Sequence, residues 1–468
     1  MRILLLFIFS FLPVFAQNIT YQNLALSDAI EMVKKDNLEI NIARFDEKIK
    51  SFEHQIATGY NYGKLDLIQY AMRSNDAGNV FGYKLASREA TFADFGFSEF
   101  LTPMGTAIYN ASQGNPPSDM SSILSIQPND LNYPDARSFF QTKLKYELPI
   151  YTGGKLEQYG KITDALTKMS GLDTQKITNE KIYQVKKSYF DIYLLNTYIK
   201  NLNIVKANME RLENMASNMI EEGYAKKVDL LEVQAKKANV LRMLHQAKAN
   251  KALTYQFLSF LLNADVKSVQ GNYQDIAPRH IDAKEIVRSN LDIQKALLGL
   301  KITDMNIRLQ QASNLPEIGA FAEYSSADDK FLNDFSKHDA YTFGVQFKWN
   351  LFNGGIDKNS IEKARVQNLK TKTQVELAKK GIMLQVDKIK TEIENFDFSI
   401  DSLNKELELS RVIYQNYLGR YQEKLVSIND VIIKQSLEIE KVLKLKEVEN
   451  KKIYKVLELE KIANGVGI

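Results

Sequence analysis

The sequence predicts a mainly α-helical protein that also contains transmembrane β-strands. Two proline-free regions indicate very long helices: residues 150–277 contain no proline, and none occurs from residue 317 onward. A set of motifs repeats at a fixed spacing, which indicates an internal two-fold sequence repeat. Short segments that alternate between apolar and polar residues indicate strands beside the helices.

Composition excludes several functional classes. The chain has 468 residues, and 44% hydrophobic with 25% charged residues excludes a disordered protein. It has no cysteine, which excludes disulfides, thiolate metal sites, iron–sulfur clusters and a lipid anchor on cysteine. Its four histidines lie too far apart for a metal pair on one helix, and a net charge of +4 is not typical of nucleic-acid binding. We therefore expect no cofactor, no metal, no nucleic-acid partner and no lipidation.

A secretory signal peptide is predicted for residues 1–16. Arg2 precedes the apolar run 3–12, and small residues lead to a cleavage position after Ala16. A membrane anchor is the alternative, but a spanning helix needs about 20 apolar residues. No later segment has the roughly 18 uninterrupted apolar residues of a transmembrane helix, so a membrane crossing by the mature chain requires strands.

Two motifs recur at the same spacing of 201 residues. An aromatic and aliphatic pattern that ends in a double glycine occupies 146–154 and 347–355. A motif that begins with aspartate and ends with glutamine occupies 229–234 and 430–435. Chance is a poor explanation for two motifs that share one spacing.

A third match sets the extent of the two copies. Residues 37–40 align with 290–293 at an offset of 253, so the first copy contains 52 additional residues, between about Met72 and Ser138. This stretch is rich in turn-forming residues and is predicted to be a long surface loop. We expect a first repeat over 17–276 and a second over 277–468.

Each copy is predicted to have the same order of elements. A helix of about 32 residues comes first, over 27–58 and 282–313. A strand, a loop and a second strand follow. The double glycine then opens a very long helix, such as 155–222, which would measure about 100 Å, and a return helix ends the copy. Apolar residues at three- and four-residue steps from Ile182 to Val205 predict a seam against a neighbouring helix.

The strand over 341–351 has the clearest alternation, and 140–148 is its partner in the first copy. Strands over 65–72 and 317–324 alternate less well. We expect lipid contact from the apolar positions, which include Tyr341, Phe343, Phe347, Trp349 and Tyr146. A water-soluble sheet with one buried face gives the same alternation and is the alternative. Four strands cannot close a barrel, whose minimum is about eight, so a membrane barrel would need several chains.

These motifs resemble those of the TolC-like outer-membrane efflux proteins, which are the exit ducts of tripartite efflux and type I secretion systems. The resemblance covers essentially the whole mature sequence and rests on the double glycines Gly153, Gly154, Gly354 and Gly355 and on the two helix-to-helix turns. It implies a homotrimer with a 12-stranded barrel in outer-membrane lipid, four strands per chain, continued by a helical tunnel through the periplasm. It also implies a channel for small molecules that docks onto a periplasmic adaptor and an inner-membrane pump of the RND or ABC type.

The resemblance also implies the residues that gate the periplasmic mouth. Asp430 would line the narrowest point, and Tyr421 would bond to Asp229 of the first turn. The alternative for Asp430 is a capping residue near a helix start. Gly223 lies in the first turn, whereas Lys424 replaces the glycine of the second. The chain also departs from the family pattern at Ile220 and Ile433, so lysines near the mouth are candidates for other pairs.

Two further functions remain open. The same kind of duct serves protein secretion, and a soluble periplasmic coiled-coil adaptor or scaffold is an alternative of a different class. An enzyme is disfavoured, because the sequence lacks a phosphate-binding loop, a His-Glu-x-x-His motif and a Gly-x-Ser-x-Gly motif.

Overall fold

The structure is a computed structural model that describes residues 20–115, 120–270 and 283–464. The predicted signal peptide (1–16) and the predicted boundary between the repeats (276 and 277) lie outside these ranges. None of the described helices is both long enough and apolar enough to cross a membrane.

Helices dominate the described residues, as the sequence predicts. In chain order the elements are β1 (Thr20–Tyr21), α1 (Leu26–Asp36), α2 (Leu38–Gly59), β2 (Lys64–Ser74), α3 (Ala77–Ala86), α4 (Phe97–Ser112), α5 (Ser121–Leu124), α6 (Asn129–Asn132), β3 (Arg137–Thr152), α7 (Lys155–Glu221), α8 (Lys227–Leu262), β4 (Asp265–Val266), α9 (Ala283–Ser289), α10 (Leu291–Gln311), β5 (Glu317–Asp328), β6 (Asp339–Lys348), α11 (Ile356–Gln422) and α12 (Ile428–Ile462).

The long helices of the two halves have matching bounds. α7 and α11 each contain 67 residues, and their first and last residues are 201 positions apart. The return helices α8 and α12 contain 36 and 35 residues and begin 201 positions apart. A straight helix of this greater length measures about 100 Å. The prediction of two very long helices, each followed by a return helix, is therefore confirmed.

The chain divides into two compact units, of which the first consists of the described parts of 1–51, 165–301 and 368–468. Three clusters of buried apolar side chains form its core. Val185, Tyr189 and Ile192 of the predicted seam are buried against residues of α1 and α8. Burial of one such aliphatic side chain contributes about 1.5–3 kcal/mol, so the seam is a major part of this core.

The first helix of each repeat is interrupted, which corrects the prediction of continuous helices over 27–58 and 282–313. Asn37 separates α1 from α2, and Asn290 separates α9 from α10. Asn37 has an extended backbone (φ −67°, ψ 126°) that ends α1. Both asparagines are buried, so their polar side chains need hydrogen-bond partners.

The two asparagines make the same set of hydrogen bonds. The side-chain oxygen of each accepts from the backbone amides two and three residues later, which caps the helix that follows. The side-chain amide donates to the last turn of the return helix: Asn37 to Leu261 O at 2.8 Å, and Asn290 to Ile462 O at 3.2 Å. Each interruption therefore fastens the first helix of a repeat to the end of its return helix.

Replacing Asn37 by alanine is expected to destabilise the first unit by about 2–3 kcal/mol. The helix cap contributes about 1 kcal/mol, and a buried carbonyl left without a donor costs about 1–3 kcal/mol. Guanidinium unfolding followed by circular dichroism measures the change. Asn37→Ser keeps a capping oxygen but loses the donor to Leu261 O, so it should lose only part of this stability. Equal stability of the wild type and Asn37→Ala would contradict the assignment.

The second unit consists of the described parts of 52–164 and 302–367 and contains a four-stranded antiparallel sheet. The strand order is β2-β3-β5-β6, so the centre of the sheet joins a strand of the first half to a strand of the second. All four predicted strands are present. β3 is longer than the predicted 140–148, and β6 ends at Lys348, before the predicted end at 351. Trp349 lies beyond that end and donates to Asn314 O at 3.0 Å.

The insertion between β2 and β3 is folded, which corrects the prediction of a long surface loop over 73–137. It contains α3 to α6 and a short 3₁₀-helix, Phe92–Phe95. Val80 and Ala107 are buried in it, and the rings of Phe81 and Phe95 pack edge to face at 5.0 Å. The turn-forming residues mark the boundaries of short helices here, so the same composition gives a small helical layer.

Candidate functional site

The two faces of the sheet differ in chemistry. Paired residues of an antiparallel sheet lie on the same face, so the register assigns each strand residue to one of the two faces. Tyr146 pairs with Ala322, which pairs with Phe343, and this row belongs to the apolar face. Lys145 pairs with Glu323, which pairs with Thr342, and this row belongs to the polar face.

Aromatic and aliphatic side chains on the apolar face are exposed in the single chain. On β6, Tyr341 is 75% exposed, Phe343 76% and Phe347 60%. Leu67 on β2 is 73% exposed, and Tyr146 on β3 is 36% exposed. Contiguous exposed apolar surface of this kind marks contact with lipid or with another protein surface. Tyr341, Phe343, Phe347 and Tyr146 lie together on this face, as the alternation predicts, while Trp349 lies past the end of β6.

The polar face carries five positive and four negative side chains, so its charges nearly balance. Several are paired along or across the strands: Lys143 lies 3.0 Å from Glu323, and Lys145 lies 2.6 Å from Glu147. Such a face is suited to water and adds no large field of one sign. Its charged residues are Lys64, Asp66, Arg137, Lys143, Lys145, Glu147, Glu317, Glu323 and Lys348.

The double glycines lie where the sheet passes into the long helices. All four have positive φ, between 64° and 87°, a region that residues with a Cβ rarely adopt. Gly153 has an additional constraint, because a Cβ there would lie 2.6 Å from Ala312 O. Gly154, Gly354 and Gly355 have no such neighbour among the described residues.

The predicted gate residues lie at two turns of the first unit, which we call the first hairpin turn (222–226) and the second hairpin turn (423–427). Each joins a 67-residue helix to its return helix. The helices on both sides share one buried apolar cluster, which includes Leu212, Val233, Tyr414 and Val431. The structure therefore brings the two hairpins together just behind the turns.

Asp430 lies in the first turn of α12 and forms a capping box with Ser427, the residue before the helix. Its carboxylate accepts from the Ser427 amide at 3.1 Å and from the Ser427 hydroxyl at 2.6 Å. These bonds hold the pKa of the exposed carboxyl below its usual value, so Asp430 is ionised at neutral pH. Asp229 has the equivalent position in α8 and accepts from the Lys226 amide at 2.8 Å. Both aspartates thus have the capping role that the sequence left as the alternative.

The predicted hydrogen bond between Tyr421 and Asp229 is not formed, so that part of the prediction is wrong for this conformation. Tyr421 is buried, and its hydroxyl has no partner among the described residues. Burial, together with the nearby negative charge of Asp229, raises the pKa of Tyr421 and keeps it neutral. The physical reason is competition: the Asp229 carboxylate faces the start of its own helix, where an unpaired amide needs an acceptor.

Lys424 makes the contact between the two turns instead. Its ammonium lies 3.5 Å from the centroid of the Tyr224 ring and 3.9 Å from the Glu222 carboxylate, both in the first hairpin turn. Lys424 also has φ +63°, where Gly223 of the first turn has φ +78°. That left-handed conformation costs a residue with a Cβ about 1–2 kcal/mol. Exposed cation–π and ion-pair contacts return about 0.5–1 kcal/mol each, so the two effects nearly cancel.

Replacing Lys424 by glycine is expected to raise the open probability of the channel proposed below. Glycine adopts the turn without strain but cannot contact Tyr224 or Glu222, so the turns lose their link while stability changes by about 1 kcal/mol or less. Single-channel recording in a planar bilayer measures the effect. Lys424→Arg keeps the cation and should behave like the wild type. If the glycine and arginine variants have the same open probability, the Lys424 contact does not stabilise the closed channel.

Sequence reasoning missed two features of this site. Tyr224 and Glu222 were not recognised as partners of Lys424, because the three residues are brought together only by the packing of the two hairpins. Gln435 is only 1% exposed, and neither atom of its side-chain amide has a partner among the described residues. Its counterpart Gln234 bonds to Glu213 at 3.1 Å, so the shared motif has different surroundings in the two halves.

Comparison with known families identifies part of the chain. Residues 283–431 match the model of a family described as outer membrane efflux protein. This segment is therefore similar to outer membrane efflux proteins, and we call it the efflux protein domain. The efflux protein domain begins at α9 and ends within the first turn of α12, so it contains Tyr421, Lys424 and Asp430. The resemblance to TolC-like efflux proteins is confirmed, and proteins of this family are outer-membrane channels.

Solved structures extend the likeness beyond the efflux protein domain. The chain is similar to CusC, with a TM-score of 0.76 and 13% identity over 94% of this chain and 91% of that one. For VceC of Vibrio cholerae the TM-score is 0.72 and the identity 13%, over 94% of this chain and 96% of that one. For the open state of the MtrE channel of Neisseria gonorrhoeae the TM-score is 0.71 and the identity 13%, over 94% of this chain and 89% of that one. At these identities the likeness concerns the fold. No curated protein matches the sequence.

Across residues 20–115, 120–270 and 283–464, no group of histidine, aspartate and glutamate side chains is placed to hold a metal ion. The family is one of channels and is not an enzyme family.

Proposed function

We propose that three copies of this chain form an outer-membrane channel through which small molecules leave the cell. The observation that carries this proposal is the sheet: one exposed apolar face, one polar face whose charges nearly balance, and two open edges. Over the described residues, neither the outer edge of β2 nor that of β6 has a partner strand. In hydrocarbon, unpaired backbone groups cost several kcal/mol each, so both edges require another chain.

Closure by three copies gives 12 strands with the apolar face toward lipid and the polar face toward water. Two copies would give a barrel of eight strands, and side chains fill the interior of a barrel of that size. A larger barrel leaves an aqueous path. The long helices α7 and α11 would continue that path through the periplasm. A duct of this kind requires a periplasmic adaptor and an inner-membrane pump, of the RND or ABC type, to load it.

The pairing of β3 with β5 supplies a template for the joint between copies. β2 and β5 begin 253 positions apart, which is the offset of the first elements of the two halves. β3 and β6 are related by the offset of 201 at their double glycines. Tyr146 pairs with Ala322, so the equivalent pair is Phe347 with Gln69 of the next copy. Both side chains belong to the apolar face, as a continuous sheet requires.

Cysteine cross-linking tests this assembly directly. Neighbouring pairs in antiparallel strands have Cα atoms about 4.5–5.5 Å apart, which suits a disulfide. The chain has no cysteine, so a Phe347→Cys and Gln69→Cys variant gives no background. Oxidation should produce covalent dimers and trimers. Phe347→Cys with Ile68→Cys is the matched control, because Ile68 lies on the opposite face and should not react.

Function is tested on the same purified protein. Mass determination in detergent should give a trimer, and planar bilayers should show small cation-selective steps. A water-soluble monomer without conductance and without cross-links would overturn the proposal and favour a periplasmic scaffold.

A further inference from the structure

The helical insertion lies on the polar face of the sheet. Tyr83 of α3 stacks on Phe139 with ring centroids 4.3 Å apart, and its hydroxyl lies 3.9 Å from the Met72 sulfur. Phe139 and Met72 pair with each other, and both lie on the polar face, as Lys143 and Lys145 do. α3 contacts the two central strands, β3 and β5. It therefore covers the face that bears the charged side chains.

Specific polar contacts hold the insertion in this position. Arg137, at the start of β3, donates to the Ser87 hydroxyl at the end of α3 at 3.1 Å and also pairs with Glu89. His338, immediately before β6, contacts the Ser87 carbonyl. Ser87 and Phe139 are buried, at 0% and 5% exposure. Contacts from two strands to one short segment indicate a fixed position on the sheet.

The insertion lies at the outer end of the sheet. Phe139, Met72 and Ala327 lie near the strand ends that are remote from the double glycines, where the long helices begin. In the proposed channel, the long helices extend into the periplasm. The covered end is then the one that opens outside the cell.

Three such helices are large enough to fill the barrel. Twelve strands about 4.8 Å apart and tilted by about 40° enclose a circle of roughly 25 Å between backbones. Three helices of about 10–12 Å diameter packed around one axis occupy a circle of roughly 24 Å. Little free cross-section would remain at this level.

We propose that the described part of the insertion, residues 75–115 and 120–136, is a lid that closes the outer mouth of the channel from within. The inference rests on the proposed trimeric barrel, and it depends on α3 and its contacts with β3 and β5. It assigns to the outer end of the sheet a barrier that is separate from the hairpin turns.

Removal of the lid is the first test. Ser74 pairs with Arg137 at the end of the β2 and β3 ladder, so residues 75–136 can be replaced by a two-residue Asn-Gly turn without a change of register. The variant should form trimers and conduct at least threefold better than the wild type when both carry Lys424→Gly, which relieves the inner barrier. Equal conductance of lidded and lidless trimers would overturn the lid.

A point variant guards against misfolding of the deletion. Tyr83→Ala removes the stack on Phe139 and should raise conductance or its fluctuations. Tyr109→Ala is the matched control, since Tyr109 belongs to α4 of the same insertion and is 65% exposed. Equal effects of the two changes would count against the assignment of α3 as the closing element.

Cysteine labelling in whole cells separates the lid from the channel itself. Thr342 belongs to the polar face at the level of Lys145, which lies six residues, or about 20 Å along the strand, from Phe139. A bulky water-soluble maleimide should label Thr342→Cys in the lidless protein but not in the lidded one. Labelling of Thr342→Cys in both proteins would overturn the lid proposal but leave the proposed channel intact. Phe343→Cys, on the apolar face, should resist the reagent in either protein, and its labelling would overturn the lipid-facing sheet and the lid with it.

Discussion

Replacing Asp430 by asparagine is expected to remove most of the cation selectivity of the proposed channel. The carboxylate is exposed at the start of α12 and ionised at neutral pH. Three copies around one axis would place three negative charges at the mouth, which attract cations and repel anions. Reversal potentials measured across a salt gradient should fall toward zero in Asp430→Asn, a loss of about tenfold or more in the permeability ratio.

The local cap supplies the control for this experiment. Asparagine keeps an oxygen that accepts from the Ser427 amide, so the helix start is preserved. Ser427→Ala does the reverse, because it removes a capping hydroxyl and leaves the charge in place. Ser427→Ala should stay cation-selective at neutral pH. If both variants lose selectivity equally, the helix cap rather than the charge is responsible.

The same pair of residues sets an expected pH dependence. Hydrogen bonds from Ser427 lower the pKa of Asp430, so removal of its hydroxyl should raise that pKa. Protonation then occurs at a higher pH, and selectivity should be lost earlier on acidification in Ser427→Ala than in the wild type. A titration of the reversal potential would show this shift, and coincident curves would argue against Asp430 as the titrating group.

Gly153→Ala is expected to cause the largest loss of stability in the second unit, about 2–5 kcal/mol. Its φ of +64° costs a residue with a Cβ about 1–2 kcal/mol. A Cβ at 2.6 Å from Ala312 O also forces a backbone shift, which adds about 1–3 kcal/mol. Thermal unfolding of the purified protein measures the change.

Gly154 provides the matched control for this prediction. It has φ +87°, but a Cβ there would meet no atom within 4 Å. Gly154→Ala should therefore show only the backbone cost, and the difference between the two variants isolates the close approach to Ala312. Equal losses of stability in the two variants would mean that the backbone at Ala312 can move without strain.

Sequence patterns predicted the elements of this fold better than their interruptions. Period and composition were sufficient for α7, α11 and the strands, because burial of one face dictates a regular spacing. The breaks at Asn37 and Asn290 were missed, since apolar periodicity runs through them and their partners, Leu261 and Ile462, lie far away in sequence. The helical insertion was missed because short helices bounded by turn formers have little periodicity.

The site was predicted in its location but only in part in its contacts. Repeat spacing located both hairpin turns and the capping aspartates. It could not assign the partner of Lys424, which depends on how two turns about 200 residues apart are packed. The resemblance pointed to Tyr421, whose hydroxyl is buried and unpaired here. A family motif transfers positions more securely than it transfers hydrogen bonds, because a competing local donor can take the acceptor.

The open sheet edges have a consequence for the biogenesis of this protein. A lone chain that reaches the periplasm carries two unsatisfied strand edges and a row of exposed aromatic residues such as Tyr341 and Phe343. Such a surface is a template for aggregation. In the proposed assembly three copies must associate, whereas aggregation can start from any two exposed edges. We therefore expect an unassembled chain to need protection of its sheet edges until the proposed trimer forms.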